Sequence, residues 1–178
     1  MLTRPTEEEY DPAFHRYITL VPEGNFLELL GMQTHETKNF FEMLSEETGN
    51  YSYAPGKWNI KEVLGHMIDS ERIFAYRALC IARGEQQPLP GFEQDDYARE
   101  AGYAQMPLSK IVQHYTALRV STFCLLEYMP ENAWTRTGTS NLKTISVRAL
   151  VYSIAGHERY HMRKLAELYG QQTVPLIH

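Results

Sequence analysis

The chain has 178 residues, of which 43% are hydrophobic and 22% are charged, values typical of one globular domain with a sizeable core. The net charge is −5 and the lysine and arginine residues form no cluster, which disfavours binding to nucleic acid or to an anionic membrane. No apolar run approaches the roughly 18 residues of a membrane span, and the polar N-terminus lacks the apolar segment of a secretion signal, so secretion is not expected. The two cysteines, Cys80 and Cys124, are far apart in sequence and indicate a reducing cytoplasm.

The chain begins with an arm, residues 1–22, in which three prolines disfavour a long helix. One short helical turn is expected around residues 13–18. The first long helix should begin near Glu23 or Asn25 and run to about Glu46. Its apolar residues recur at helical spacing, and the Gly-Asn pair at 49–50 ends it.

The second long helix is predicted from its start signals. Asn59 is a good N-cap, and Glu62 stands where a capping box needs an acid. The helix should run to about Arg83, with His66 on its inward stripe. The connection that follows, residues 84–107, is long for a compact domain and contains a possible short helix over 95–101. It is either a functional lid or a crossover between distant helix ends.

Two more helices complete the chain. The third follows Pro107 and ends at Pro130, and a polar loop over 130–145 leads to the fourth, which spans about 146–169. Residues 171–178 are expected to form a loosely held tail. No strand is predicted. The pattern indicates a single all-α domain over 1–178, an up-down four-helix bundle with long connecting loops.

The fourth helix carries the sequence H-E-x-x-H. Its histidines, His157 and His161, lie one helical turn apart, so both imidazoles leave the same face and can bind one ion. They also lie on or beside the apolar stripe of the helix. A buried pair satisfied by hydrogen bonds and a metal site both remain open on this evidence.

The same motif occurs in zinc metalloproteases, where a third ligand follows downstream. Here Lys164 and Glu167 occupy the positions of the glycine and histidine of the extended motif, and only His178 remains beyond them. A metalloprotease therefore stays a remote alternative. His66, on the inward face of the second helix, is the better third ligand. Three histidines with an open fourth position are typical of a catalytic ion that activates bound water or a thiol.

Several stretches resemble the DinB superfamily, including its bacillithiol-transferase-like branch, over about residues 20–170. They are YAPGKWNIKEVLGH (53–66), DSERIFAYR (69–77), PLPGF (88–92) and AGHERYH (155–161). The resemblance implies a four-helix bundle, usually a homodimer, with a divalent ion held by three histidines. The matching positions are His66, His157 and His161. Zinc and nickel are both expected for such a site, and the family includes S-transferases that use low-molecular-weight thiols and a thiol-dependent isomerase.

Five further residues are candidates near this site. Glu158 follows a ligand directly and is either a catalytic base or a solvated acid. Asp69 and Ser70 lie on the face of His66 and are candidates to orient its ring, or form ordinary helix-surface hydrogen bonds. Arg77 and Arg119 lie in apolar stretches and either bind a substrate carboxylate or form structural ion pairs.

These observations predict a metal-dependent enzyme, a thiol S-transferase or a hydrolase, acting on a small molecule with a low-molecular-weight thiol as a candidate cosubstrate. The substrate should enter between helix ends roofed by the 84–107 and 130–145 loops. The alternative from another class is a non-catalytic metal-binding or stress-response module. In that case the fourth ligand position is closed, for example by Glu158.

Overall fold

A computed structural model describes residues 2–170 of the chain. Its helices are α1 (His15–Ile18), α2 (Phe26–Glu42), α3 (Glu46–Gly49), α4 (Ile60–Ala82), α5 (Gln94–Glu100), α6 (Leu108–Glu127) and α7 (Val147–Leu168), and its two strands are β1 (Thr137–Ser140) and β2 (Lys143–Ser146). The long helices α2, α4, α6 and α7 form the predicted four-helix bundle, which is confirmed. The predicted tail over 171–178 lies outside the described residues. Within 2–170, no helix combines the length and apolar character of a membrane span.

The long helices begin at the residues that local sequence chemistry favours. The side chain of Asn59 accepts a hydrogen bond from the Glu62 amide, and Glu62 accepts one from the Asn59 amide, which completes the predicted capping box. Ser146 caps α7 through the Ala149 amide. These contacts satisfy amide groups that have no partner inside a helix, and they determine where α4 and α7 start.

The order of the helices in space differs from their order in sequence. Helix α4 packs against α7 and α6, while α2 packs mainly against α6. The starts of α4 and α6 lie together, because Glu46 binds both the Lys61 ammonium and the Leu108 amide. Ten residues after Lys61 and eleven after Leu108, Glu71 meets Arg119. Helices α4 and α6 therefore run in the same direction, whereas consecutive helices of the predicted up-down bundle would run in opposite directions. The 84–107 connection is the crossover that returns the chain to the first end.

The 130–145 segment contains a short antiparallel hairpin, so the expectation of a loop without strands is wrong there. Thr137 pairs with Ser146 and Ser140 pairs with Lys143. The two turn residues, Asn141 and Leu142, both have positive φ, as a tight hairpin turn requires. Asparagine favours that conformation but leucine does not, which is why the turn carries a weak sequence signal.

The N-terminal arm contains the expected helical turn, α1, and packs along α7. Ile18 is buried, and Arg4 donates hydrogen bonds to the carbonyls of Ile18 and Val21. At Gly156 the α7 backbone lies directly against the Tyr17 carbonyl. The arm therefore forms one wall of the region around His157.

Candidate metal centre

Three histidines converge between α4 and α7. The Nε2 atom of His157 lies 3.1 Å from that of His66 and 3.1 Å from that of His161. One potential ligand nitrogen from each of the three residues falls within 4.8 Å of the others. The structure thus brings together the three positions that the sequence singled out.

The local helix geometry explains this convergence. His157 and His161 are one turn apart on α7, so their rings project from one face. Helix α4 runs antiparallel to α7, since Tyr169 at the end of α7 donates a hydrogen bond to the Trp58 carbonyl just before α4. This pairing places His66, two turns into α4, opposite the histidine pair.

All three imidazoles favour the neutral state. Burial lowers the pKa of His66 to about 4, although the charge of Asp95 acts in the opposite direction. Burial and the neighbouring charges of His66 and Arg16 lower the pKa of His161 to about 3. The pKa of His157 is also well below its ordinary value, through burial and then its histidine neighbours. Neutral imidazole is the form that binds a metal ion.

A divalent ion fits this donor set better than hydrogen bonds between the rings do. The Nε2 atom of His157 has one N–H or one lone pair, so it cannot form two good hydrogen bonds to the two nitrogens that face it. A tetrahedral ion with bonds of about 2.0–2.1 Å holds its ligand nitrogens roughly 3.3 Å apart. Imidazole ligands suit zinc, nickel and other first-row transition ions.

Aromatic rings enclose the histidines. Trp58 packs on His66 with 4.7 Å between ring centroids, and Tyr17 meets the edge of His157 at 5.2 Å. Phe74 and Tyr160 contact His157 and His161 at 5.8 and 5.3 Å. These contacts restrict how the imidazoles can rotate and keep water from most of their surface.

A pocket of about 470 Å³ opens above His66 and His157. Its walls come from the N-terminal arm, one face of α4, the 84–107 connection and the β hairpin. The two loops that were expected to roof the site therefore do border it. Ser70 and Arg77 line this pocket.

Asp95 is a site residue that the sequence reasoning missed. It lies in the first turn of α5, lines the pocket and acts electrostatically on His66. It also borders a second pocket, of about 520 Å³, together with Trp58. The available signal was an acidic pair, Asp95 and Asp96, at the start of a short helix within a long connection, which is too common a pattern to single out.

Glu158 is buried and lies outside the pocket walls, which fits neither of the two alternatives for it, a catalytic base or a solvated acid. Its carboxylate accepts hydrogen bonds from Thr37 at 2.7 Å and Tyr115 at 3.0 Å, and it forms an ion pair with Arg119. Successive residues of a helix point about 100° apart. Glu158 is therefore turned toward α2 and α6 when His157 faces α4.

Arg119 is equally committed to the bundle core, which contradicts its candidacy as a substrate-binding residue. The guanidinium is 1% exposed and donates to Glu71 at 2.9 Å, to Glu158 and to Thr34. Burial alone would lower the pKa of Arg119, but the charges of Glu158 and Glu71 raise it well above its ordinary value. Arg119 therefore forms structural ion pairs, which was the other alternative for it.

Asp69 likewise lies outside the site. It accepts a hydrogen bond from the Tyr103 hydroxyl at 2.9 Å and forms a salt bridge with Arg72. Its side chain therefore links α4 to the end of the long connection. Within residues 2–170, Asp69 forms no hydrogen bond to the His66 ring, which was the contact expected for it.

The sequence of this chain is similar to those of known proteins. A sequence model of the DinB superfamily matches residues 29–165. A protein of Oceanobacillus iheyensis named "Putative metal-dependent hydrolase OB0413" is 21% identical over 147 residues, covering 82% of this chain and 84% of that protein.

Two solved structures share the fold. YfiT from Bacillus subtilis, described as "a probable metal-dependent hydrolase with an unusual four-helix bundle topology", superposes with a TM-score of 0.73 at 14% identity, covering 96% of this chain and 93% of YfiT. A mycothiol-dependent maleylpyruvate isomerase gives a TM-score of 0.66 at 13% identity, covering 90% and 67% of the two chains. Identities this low show a common fold.

Proposed function

The chain belongs to the DinB superfamily, as its motifs predicted, and from this premise we propose that it is a divalent-metal-dependent hydrolase of a small molecule. The observation that carries the proposal is the convergence of three neutral imidazoles, two of which line an open pocket of about 470 Å³. A pocket of this size is typical of small-molecule sites. The names of OB0413 and YfiT as metal-dependent hydrolases support the reaction class.

His66, His157 and His161 are the residues that would hold the ion, with zinc as the first candidate and nickel as the second. When bound, the ion supplies a Lewis acid that polarises a substrate oxygen and makes water or a thiol more acidic. Three protein ligands are one fewer than the four typical of a structural zinc site, which favours a catalytic role over a purely structural one.

The other residues of the site position groups and handle protons. Trp58, Tyr17 and Phe74 hold the imidazole rings in place and limit the access of water from the bundle side. Asp95 is the acid that we propose as proton acceptor, because its carboxylate borders the pocket and its charge acts on His66. This role replaces the one expected for Glu158.

A thiol S-transferase is the second candidate function. The fold is shared with a mycothiol-dependent isomerase, which favours a thiol cosubstrate. The cysteines of residues 2–170, Cys80 and Cys124, do not line the pocket above the histidines. A low-molecular-weight thiol would therefore enter this pocket from solution, and the two candidate reactions differ in whether turnover requires it.

The metal assignment is tested by elemental analysis of protein purified without chelator or polyhistidine tag. We expect about one equivalent of zinc or nickel in the wild type and its loss in His66→Ala and His157→Ala. His35→Ala is the matched control, since His35 is exposed on α2 and contacts Asn39. Unchanged metal content in both site variants would refute the assignment.

The reaction is tested on the metal-loaded protein with two probes, p-nitrophenyl acetate alone and a chloro-aromatic electrophile with a panel of thiols. Ester hydrolysis that depends on the metal and falls at least about tenfold in Asp95→Asn supports the hydrolase. Turnover that appears only with a thiol supports the transferase. Full metal content without turnover of either probe favours the non-catalytic module. The homodimer that the resemblance implies stays a prediction, which analytical ultracentrifugation would test.

A further inference from the structure

Arg77 is a buried cation that no carboxylate neutralises. Its side chain is 5% exposed, and its one hydrogen bond within residues 2–170 goes from Nη2 to the Pro90 carbonyl at 2.6 Å. The Phe92 ring lies 5.8 Å from the guanidinium carbon. No acidic side chain of the described residues forms a salt bridge with it. Burial accordingly lowers the pKa of Arg77.

This arrangement contrasts with that of Arg119, another buried arginine of the bundle. Arg119 is surrounded by two carboxylates and is fully engaged. A guanidinium carries five N–H donors, of which Arg77 uses one on Pro90. None of its nitrogens is both buried and without a partner, and its side chain lines the histidine pocket. The remaining donors are open to a ligand there.

We infer that Arg77 binds a carboxylate of the substrate, so that the pocket takes an organic acid whose other end reaches the histidines. The inference rests on the proposed function only in that it assigns this substrate to the same site. A planar guanidinium matches a carboxylate through two parallel hydrogen bonds, and such bonds are strong where water is excluded. A bound anion supplies the negative charge that the protein does not place beside Arg77.

The positions of the lining residues along α4 set an upper limit on the length of this substrate. His66, Ser70, Phe74 and Arg77 occupy one face of α4 and all line the pocket. Eleven residues separate His66 from Arg77, which is a rise of about 16 Å along the axis between their Cα atoms. An acid that spans these two side chains is extended, with an apolar middle part over Phe74.

The charge of the pocket selects a monoanion. The cationic side chains in its walls, Arg16, Arg77 and Lys143, are equal in number to the acidic ones, Asp11, Glu93 and Asp95. Lys143 is already paired with Asp11 at 3.1 Å. A monoanion would neutralise the one buried cation, whereas a phosphate dianion would leave an excess negative charge beside Glu93 and Asp95.

The test compares an acid with its uncharged isostere, using 4-phenylbutyrate and 4-phenylbutanamide as probes in calorimetric titrations of the full chain as purified. We expect the wild type to bind the acid about 10- to 100-fold more tightly, the range typical of a charge-assisted hydrogen bond pair. Equal affinities, or no binding of either probe at roughly 10 mM, would overturn the inference without reference to any variant.

Variants then locate the anion. Arg77→Gln should remove the preference for the acid, and Arg77→Lys should keep part of it. Arg72→Gln is the matched control, because Arg72 lies on the same helix, pairs with Asp69 and does not line the pocket. Arg16→Gln should also leave the preference intact. Thermal melts establish that each variant is folded.

Two outcomes of the variant series contradict the inference. A preference for the acid that persists in folded Arg77→Gln places the carboxylate on the metal ion or on another cation. A preference lost in Arg16→Gln but kept in Arg77→Gln assigns it to the exposed arginine. Binding needs no turnover, so a protein that prefers the acid through Arg77 but hydrolyses nothing would refute the hydrolase and leave this inference standing.

Discussion

Gly156, directly before the first histidine of the H-E-x-x-H motif, is the position where we expect the smallest substitution to have the largest effect. A Cβ atom added there would lie 2.1 Å from the Tyr17 carbonyl oxygen and 2.5 Å from its carbon. Ordinary contacts between such atoms are about 3.5 Å. The clash is with backbone on both sides, so no rotation of a side chain relieves it.

The expected loss of stability depends on the contact that must open, which is the one between α7 and the N-terminal arm. Alanine favours a helix over glycine by about 1 kcal/mol, which works in favour of the variant. Against this, overpacking of a closed contact costs about 1–3 kcal/mol or more. Moving the arm also disturbs buried Ile18 and the contact of Tyr17 with His157. We expect Gly156→Ala to lose at least about 2 kcal/mol, which for a chain of this size lowers the melting temperature by about 4–8 °C.

Gly31→Ala provides the matched control. Gly31 also lies inside a long helix, α2, and a Cβ there meets only the Phe123 ring at 3.9 Å. The helix propensity gain then applies without a clash, and stability should stay equal or rise by up to about 1 kcal/mol. Calorimetric or fluorescence melts of the two variants measure the difference. A Gly156→Ala protein as stable as the wild type, or an equal loss in Gly31→Ala, would refute the argument for a closed contact.

Three further predictions concern the histidine site and the bundle. The pKa of His66 is lowered from 6.5 to about 4, so the neutral ring stabilises the metal-free protein above pH 6.5. This contribution to the free energy of unfolding, about 3 kcal/mol, is lost as the pH falls toward 4. Denaturant titrations in the presence of a chelator should show a smaller pH dependence of stability in His66→Gln than in the wild type, and an equal dependence would contradict this prediction. Arg119→Met leaves two buried carboxylates without their cation and should destabilise the protein by about 3–5 kcal/mol in urea titrations, whereas Arg99→Met, in an exposed ion pair, should change nothing measurable. Asn59→Ala removes the α4 cap and should cost about 1 kcal/mol by the same measurement; an unchanged midpoint would show that the cap contributes nothing.

The parts that sequence reasoning predicted well depend on residues close together in the chain. The Asn59–Glu62 capping box and the one-turn spacing of His157 and His161 follow from helix geometry alone, and the structure contains both arrangements. The hairpin at 137–146 was missed because Leu142 in its turn adopts a positive φ that its residue type disfavours. Asp95 was missed because only the folding of the long connection brings it to His66.

The sequence by itself determined the helices, their starts and the histidine pair, because these follow from hydrogen bonds and periodicity within a few residues. Tertiary structure decided which side chains contact each other across the fold. His66 meets His157 across 91 residues, and Glu158 meets Arg119 across 39. A glutamate or an arginine can have the same neighbours in the sequence whether its role is catalytic or structural. Only the packing of α4 against α6 and α7 turned Glu158 into a core ion-pair partner and left Arg77 buried without one, since burial and pairing of a charge depend on residues remote in the chain.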